Sequence, residues 1–388
     1  MPSGRHHLQI PGPTNVPDRI LRALARPTID HRGPAFQELS QRLLQGLGPV
    51  FGTKDPVLIF PASGTGAWEA ALVNSHSPGD RSLMCETGHF AGQWRRLAER
   101  LGLEVEYLAG DWRHGADPEA IEAALSADRG HHIKSVCIVH NETSNGVVSR
   151  LAEVRAAISA AGHPALFMVD TISSLAAMDY RHDDWGVDVT VAGSQKGLML
   201  PPGLSFNAVS EKALAAAATA TCARAYWDWA DMLAANRGGL FPYTPATNLL
   251  FGLEVALEML AEEGLANVFA RHARLAQATR RAVQAWGLEV CPLDDREQSN
   301  SLTAVMLPEG FDADDFRALV LERFDMSLGN GLGRLAGRVF RIGHLGDFNE
   351  LMLAATLSGV DMGLGLAGVP HQPGGVEAAL KDLTAGDA

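Results

Sequence analysis

The sequence is poor in cysteine, in basic charge and in long apolar runs, and each shortage excludes a class of protein. Its four cysteines form no CxxC pair, so neither a disulfide framework nor a zinc or other metal site is expected. The formal net charge of −13 argues against nucleic acid or an anionic membrane as a partner. No apolar run is long enough to span a membrane, and the N-terminus lacks the apolar core of a signal peptide. These shortages favour a soluble cytoplasmic protein with reduced thiols.

Apolar strand-like segments alternate with helical segments through the first half of the chain. Five such segments are residues 57–60, 81–86, 134–140, 165–170 and 188–193. Nearly all of their residues are apolar, which is typical of strands buried on both faces. The alternation therefore predicts an α/β fold with a mostly parallel sheet and helices on both of its faces.

The two ends of the chain differ from this alternating region. Prolines at positions 11, 13 and 17 predict an extended arm over residues 1–17, because proline blocks regular structure. After about residue 260, a long helical stretch leads into shorter strands, which indicates a smaller α+β unit. The predicted division is an arm at 1–17, a large domain at 18–262 and a small domain at 263–388.

Polar residues follow each predicted strand, where ligands bind in open parallel sheets. The first strand is followed by Ser63, Gly64 and Thr65 at the start of a predicted helix. Hydroxyls and free backbone N–H groups at a helix N-terminus bind phosphate, although a simple capped turn explains the same residues. Phe90 and Thr143 follow the second and third strands.

The last two strand ends carry a carboxylate and a lysine. Asp170 closes an apolar segment, where a buried carboxylate needs a cationic partner. Lys196 follows the next strand directly, between Gly193 and Gly197, and desolvation there lowers a lysine pKa and makes the amine a nucleophile. A phosphate cradle, a stacking aromatic, a buried Asp and a buried Lys together predict pyridoxal phosphate as the cofactor.

The order of these segments resembles the class V, fold-type I aminotransferases, above all the alanine–glyoxylate and serine–glyoxylate group. The resemblance is carried by a series of segments along the chain: "PGPTNVP", "SGTGAWEAALVN", "HNETSNGV", "VDTISSLAAMDYR", "WGVDVTVAGSQKGLMLPPGLSF", "PYTP" and "FRIGHLG". It implies a large domain with a mostly parallel seven-stranded sheet, a smaller C-terminal α+β domain, and a homodimer or higher homo-oligomer.

The resemblance also implies roles for the residues at the strand ends. Lys196 would form the Schiff base with the cofactor aldehyde, and Asp170 would pair with the pyridine nitrogen. Phe90 would stack on one face of the ring and Ile172 would contact the other, with Thr143 near the ring hydroxyl. The phosphate would be held by four residues: Ser63, Gly64, Thr65 and Gln195.

Further residues implied by the resemblance lie outside the predicted sheet. Arg341 would grip the substrate carboxylate, as a planar guanidinium can do with two hydrogen bonds. Gly12 and Asn15 lie in the arm that closes over the substrate in relatives. Thr244 matches a residue that reaches the phosphate of the partner subunit, whereas Phe241 stands where relatives have a tyrosine, and Tyr243 is a candidate substitute.

The predicted reaction is a ping-pong transamination from serine, alanine or aspartate to glyoxylate or a similar 2-oxo acid. A pyridoxamine–pyruvate type transaminase stays open as the alternative. A cysteine desulfurase is disfavoured, since Cys291 follows a predicted strand and Phe90 occupies the stacking position. A nicotinamide dehydrogenase is also disfavoured, because the glycine-rich residues 331–337 precede a strand where a dinucleotide loop would follow one.

Overall fold

The computed structural model describes residues 4–385, which form fourteen strands and thirteen α-helices. The strands are β1 (His7–Gln9), β2 (Val57–Phe60), β3 (Arg81–Cys85), β4 (Glu104–Leu108), β5 (Ile133–Val139), β6 (Asn141–Glu142), β7 (Val147–Val148), β8 (Leu166–Asp170), β9 (Val189–Gly193), β10 (Ser205–Val209), β11 (Glu289–Val290), β12 (Leu302–Met306), β13 (Met326–Asn330) and β14 (Val339–Gly343). The helices are α1 (Asp18–Leu24), α2 (Pro34–Phe51), α3 (Gly64–Ser75), α4 (His89–Arg100), α5 (Pro118–Ala127), α6 (Leu151–Ala160), α7 (Glu211–Ala217), α8 (Trp229–Asn236), α9 (Thr247–Glu263), α10 (Leu265–Ala285), α11 (Ala313–Phe324), α12 (Glu350–Leu366) and α13 (Gly375–Ala385).

The large domain is built around a seven-stranded sheet in the order β2-β10-β9-β8-β5-β3-β4. Only β10 in this sheet is antiparallel to its neighbours. Every residue of β8 and β9 is buried, because helices cover both faces of the sheet. The prediction of a mostly parallel, seven-stranded α/β sheet is confirmed.

Successive residues of the central strands enter two separate apolar cores. Phe167 packs on the side that includes α2 and α9, whereas Met168 packs on the side that includes α3 and α4. This follows from the alternation of side chains along a strand. The two layers fix the carboxyl ends of β8 and β9 rigidly between them.

The small domain contains a five-stranded sheet in the order β1-β13-β14-β12-β11, packed against helices α10, α12 and α13. Its edge strand β1 comes from the N-terminal arm, where His7 and Gln9 pair with Met326 and Leu328. The N-terminal segment therefore adds a strand to the sheet at the other end of the chain. Helix α9 belongs to the core of the large domain and ends at Glu263, next to the predicted division at 262.

The helices are short or contain charged residues. Within residues 4–385, none is both long enough and apolar enough to cross a membrane.

Candidate active site

The carboxyl ends of β8 and β9 meet the N-terminus of α3 around a cavity of about 230 Å³. Asp170 is the last residue of β8, and Lys196 lies three positions beyond the end of β9. The cavity is lined by Gly12, Ser63, Gly64, Thr65, Trp68, Phe90, Val139, Asn141, Thr143, Asp170, Ile172, Gln195 and Lys196. Most of the predicted site residues are therefore brought together at one place.

Lys196 is buried, and its ammonium group donates a hydrogen bond to the carbonyl of Pro11. Burial lowers its pKa to about 7, with a further lowering from the nearby Arg341 charge, while Asp170 acts in the opposite direction. A lysine with a pKa near neutrality holds a substantial fraction of free amine, which is the nucleophilic form.

The N-terminal arm packs directly against this lysine. Gly12 has a φ of +91°, and a Cβ at this position would lie 2.3 Å from Cδ of Lys196, so only glycine fits. Thr14 donates its backbone N–H to the carbonyl of Gln195 over 3.2 Å. Asn15 lies outside the cavity lining; its amide donates to the carbonyl of Leu8 at 3.0 Å. The structure thus places Gly12 at the site but does not bring Asn15 to it.

Asp170 is held by two hydrogen bonds at the base of the cavity. Its Oδ1 accepts from the backbone N–H of Ile172 at 2.7 Å, and its Oδ2 accepts from the indole of Trp68 at 3.0 Å. Burial raises the pKa of Asp170 to about 7, although both hydrogen bonds favour the charged form. A carboxylate in this state gains strongly from a cationic partner in the cavity.

Trp68 is a site residue that the sequence reasoning missed. It lies four positions after Gly64 in α3, and residues four apart share a face of a helix. The indole also stacks on Trp94, with ring centroids 5.9 Å apart, which fixes its direction. The signal that could have identified it was this spacing from the glycine at the helix start.

The start of α3 provides the groups expected for a phosphate. Ser63 is the N-cap residue, but its hydroxyl makes no capping hydrogen bond, and the side chains of Ser63 and Thr65 are exposed. A Cβ on Gly64 would lie 2.3 Å from Cδ1 of Ile172, so the glycine lets Ile172 pack close to the helix start. Free hydroxyls and N–H groups at a helix N-terminus favour an anion.

Two buried amide oxygens at the cavity have no hydrogen-bond partner within residues 4–385. They belong to Gln195 and Asn141. Unsatisfied buried polar atoms are rare in folded proteins and indicate a ligand or water. An unpaired amide oxygen accepts a hydrogen bond, so these atoms call for donor groups on a ligand. With the amine of Lys196 and the carboxylate of Asp170 they fit a polar cofactor that carries both donors and an aldehyde, such as pyridoxal phosphate. Asn141 lies in the segment "HNETSNGV", from which the sequence analysis predicted Thr143 as the site residue.

Arg341 lies in β14 of the small domain, outside the cavity lining but in contact with Thr143, which lines it. Its Nε donates to the carbonyl of Asn330 at 2.8 Å, and its Nη1 donates to the carbonyl of Thr143 at 2.7 Å. Burial lowers the pKa of Arg341 to about 10, so the guanidinium is still charged at neutral pH. Within the described part of the chain no carboxylate contacts it, which leaves its charge for a ligand. The hydroxyl of Thr143 donates to Ser173 at 2.8 Å.

Phe90 is positioned by a buried carboxylate that the sequence reasoning did not identify. Glu142 accepts hydrogen bonds from the backbone N–H groups of Phe90 and Ala91, the latter at 3.0 Å, and from the hydroxyl of Ser144 at 2.7 Å. A carboxylate at the N-terminus of α4 is favoured by the helix dipole. It fixes the helix start that presents Phe90 to the cavity.

The segment expected to reach a partner subunit lies on the surface. Thr244 is exposed and does not line the cavity of its own chain. Phe241 packs against Phe36 with ring centroids 6.0 Å apart, whereas Tyr243 stacks on Tyr226 at 4.2 Å. The Tyr243 hydroxyl has no partner within residues 4–385.

Cys291 has none of the features of a catalytic thiol. It is buried, and burial raises its pKa to about 11. A protonated thiol inside a core is a poor nucleophile. The position of Cys291 gives no support to a desulfurase.

Comparisons with known proteins identify the family of the chain. Residues 18–332 match the family described as Aminotransferase class-V. The chain is 49% identical to the serine–glyoxylate aminotransferase of Methylorubrum extorquens, covering 98% of this chain and 96% of that protein. It is 45% identical to the L-aspartate–glyoxylate aminotransferase of Paracoccus denitrificans, covering 96% and 94%. The crystal structure of the pyridoxamine–pyruvate aminotransferase from Mesorhizobium loti superposes with a TM-score of 0.93 at 29% identity, covering 100% of this chain and 98% of that one.

Proposed function

The chain belongs to the class V aminotransferases, and we propose that it transfers the amino group of a small L-amino acid to glyoxylate. As a member of this family it is a pyridoxal phosphate-dependent transaminase. The observation that carries the proposal is the single cavity in which the buried Lys196 amine and the Asp170 carboxylate lie together. Relatives at 45% and 49% identity are named for serine or aspartate as donor and glyoxylate as acceptor.

Different residues of the cavity would bind different parts of the cofactor. Ser63, Gly64, Thr65 and Gln195 would hold the phosphate, and Asp170 would pair with the ring nitrogen. Phe90 and Ile172 would contact the two faces of the ring. When bound, pyridoxal phosphate supplies an aldehyde for the amino group and an electron-accepting ring.

Lys196 has two tasks in this scheme. Its lowered pKa leaves the amine partly unprotonated, so Lys196 would be the residue that holds the aldehyde of the cofactor. During the reaction, Nζ of Lys196 would accept the proton of the substrate Cα and carry it as the general acid for the reverse transfer. The carbonyl of Pro11, which accepts a hydrogen bond from Nζ, holds the amine at the arm side of the cavity.

Arg341 would orient both substrates, since an amino acid and a 2-oxo acid share the carboxylate. The guanidinium is held rigidly by two backbone carbonyls, so its free N–H groups have a fixed direction. Fixed orientation of the reacting carbon contributes strongly to the rate. Serine, alanine and aspartate all satisfy this requirement, and serine or aspartate is favoured by the relatives.

The test is a half-reaction with the purified holoenzyme. L-serine, L-alanine, L-aspartate and pyridoxamine are added separately, the loss of the near-visible cofactor absorbance is followed, and glyoxylate or pyruvate is then added. We expect an amino acid to bleach the absorbance and glyoxylate to restore it faster than pyruvate does. Bleaching by none of the three amino acids would overturn the proposal, and turnover of pyridoxamine with pyruvate would support the alternative of a pyridoxamine–pyruvate transaminase.

Replacing Arg341 with lysine is expected to raise KM for both substrates and to lower kcat/KM by about 10–100-fold. Lysine keeps the positive charge but cannot bind a carboxylate with two parallel hydrogen bonds. Steady-state kinetics with the preferred donor measure the effect. The exposed Arg296, replaced by lysine, serves as the control. Equal kinetics for the two variants would remove Arg341 from the substrate site.

We also propose that the enzyme works as a cytoplasmic homodimer. The four cysteines are free and buried, which suits a reducing compartment. Thr244 is exposed and does not line the cavity of its own chain, as expected if it reaches the phosphate of a second chain. Sedimentation at micromolar concentration tests the assembly.

A further inference from the structure

A second cluster of polar side chains lies at the edge of the large sheet opposite the cavity. It joins the loop before β2 to the loop before β9, through the side chains of Asp55, His182 and Asp183. The imidazole nitrogen and one oxygen of each carboxylate all lie within 4.8 Å of one another. The two loops are held together by backbone hydrogen bonds from His182 to Phe51 and from Asp183 to Gly52, both of 3.2 Å.

The imidazole of His182 is fully buried but only half satisfied. Its Nδ1 lies 2.6 Å from the hydroxyl of Thr190, whereas its Nε2 has no hydrogen-bond partner within residues 4–385. The nearest carboxylate oxygen, Oδ2 of Asp55, lies 3.9 Å away, which is too far for a hydrogen bond. A buried nitrogen left without a partner is unfavourable, so Nε2 points to a ligand in the gap.

The two carboxylates face the same gap. Asp183 is fixed in place, because its Oδ1 accepts from the hydroxyl of Thr53 at 2.6 Å and its Oδ2 accepts from the N–H of Lys54 at 3.0 Å. Oδ2 of Asp55 lies 3.9 Å from Nε2 of His182, and the like charges of the two carboxylates repel each other across the gap. A cation in the gap would relieve this repulsion.

We propose that Asp55, His182 and Asp183 bind a divalent transition-metal cation, with Zn²⁺ as the best match. One imidazole nitrogen and two carboxylate oxygens form a donor set that zinc accepts, whereas magnesium and calcium prefer oxygen alone. With the metal on Nε2, Nδ1 would carry the proton and donate it to the Thr190 hydroxyl 2.6 Å away, which would orient the ring as outer partners of metal-bound histidines do. The site uses no cysteine, which is why cysteine spacing gave no sign of it.

The ligand atoms must move closer together to bind the ion. Tetrahedral zinc with bonds of about 2.1 Å places its ligand atoms about 3.4 Å apart, whereas the three side chains offer atoms within 4.8 Å of one another. The side chain of Asp55 is partly exposed and that of Asp183 is exposed, which gives the ion a path from solvent.

The ion would act as a structural tie remote from the reacting groups. His182 and Asp183 precede β9, the strand whose far end leads to Lys196, and Asp55 leads into the edge strand β2. A bound cation would link these two strands through their preceding loops. The proposal is independent of which amino acid the enzyme uses.

The test measures zinc binding to the holoenzyme and to Asp55→Asn. Both are treated with a chelator, dialysed against micromolar ZnCl₂, and analysed for zinc per chain and for thermal unfolding. We expect the natural protein to bind one more zinc per chain than Asp55→Asn. Zinc should raise the Tm of the natural protein but not that of Asp55→Asn, because an ion that binds the folded state stabilises it. The asparagine is similar in size and can donate to Nε2 of His182, so the variant should fold.

The matched control is Asp179→Asn, which removes the same charge from an exposed residue paired with Arg181 in the same loop. This variant should bind zinc and respond in Tm as the natural protein does. Equal zinc content and equal Tm shifts in the natural protein and Asp55→Asn would overturn the proposal. Loss of the extra zinc in both variants would also overturn it, since a general effect of charge would then explain the result.

Discussion

Replacing Lys196 with alanine is expected to lower kcat/KM for the amino acid by roughly 10⁴-fold, at the upper end of what a general acid–base group contributes. The loss combines two functions, because the same amine bonds to the cofactor aldehyde and moves the Cα proton. The near-visible absorbance of the purified protein should shift or disappear, since no lysine remains at the aldehyde. Absorbance spectra and steady-state kinetics of the variant measure both effects.

Three controls distinguish the loss of the catalytic amine from a loss of folding in this experiment. Lys196→Arg keeps a positive charge in the cavity but has no amine to donate, so it should be as inactive as the alanine variant. Lys381→Ala changes an exposed lysine and should leave the kinetics unchanged. A small primary amine added to Lys196→Ala should restore part of the activity. Activity of Lys196→Ala within tenfold of the natural enzyme would show that another group moves the proton.

Replacing Asp170 with asparagine is expected to lower kcat by about 10²–10³-fold, the size of effect seen when one preorganised electrostatic group is removed. The amide is isosteric but neutral, so it cannot keep a ring nitrogen protonated as a carboxylate can. KM for the amino acid should change much less, because Arg341 still binds the substrate carboxylate. Kinetics at saturating cofactor measure kcat and KM separately.

Trp68→Phe tests the role of Asp170 with a smaller change, because it removes one hydrogen bond to this carboxylate and keeps the carboxylate itself. Phenylalanine keeps the aromatic contact with Trp94 but removes the hydrogen bond to Oδ2 of Asp170. A hydrogen bond to a charged group is worth enough to give a loss of about tenfold in kcat. We therefore expect Trp68→Phe to fall between the natural enzyme and Asp170→Asn. A natural-like kcat in Asp170→Asn would exclude the carboxylate from the reaction.

Much of the fold was predictable, because strands buried on both faces are nearly continuous apolar segments in the sequence. The five segments chosen from the sequence correspond to β2, β3, β5, β8 and β9 of the seven-stranded sheet. The other two strands of this sheet, β4 and β10, were not predicted from the sequence, and the reasons are physical. Strand β4 is an edge strand with partly exposed residues, and β10 runs antiparallel after a loop that gave no helical signal.

The site residues that follow strand ends could be predicted from the sequence. Those that reach the site through packing between distant segments could not. Lys196 and Asp170 were identified because a charged residue directly after a buried strand is unusual. Trp68 and Glu142 were not, since a tryptophan in a helix and a glutamate in a two-residue strand have no local signature of burial. Asn15 was predicted to contact the substrate, but its amide is used by the carbonyl of Leu8.

The pairing of the N-terminal strand has a consequence for the synthesis of the protein. His7 pairs with Met326, so the ribosome makes about 300 further residues before β1 finds its partner. At about 5–20 residues per second, this interval is roughly 15–60 s. During that time Pro11 and Gly12 cannot yet be held in place beside Lys196 by the small domain. The nascent large domain thus emerges with its reactive lysine uncovered, and the catalytic pocket is completed as one of the last steps of folding.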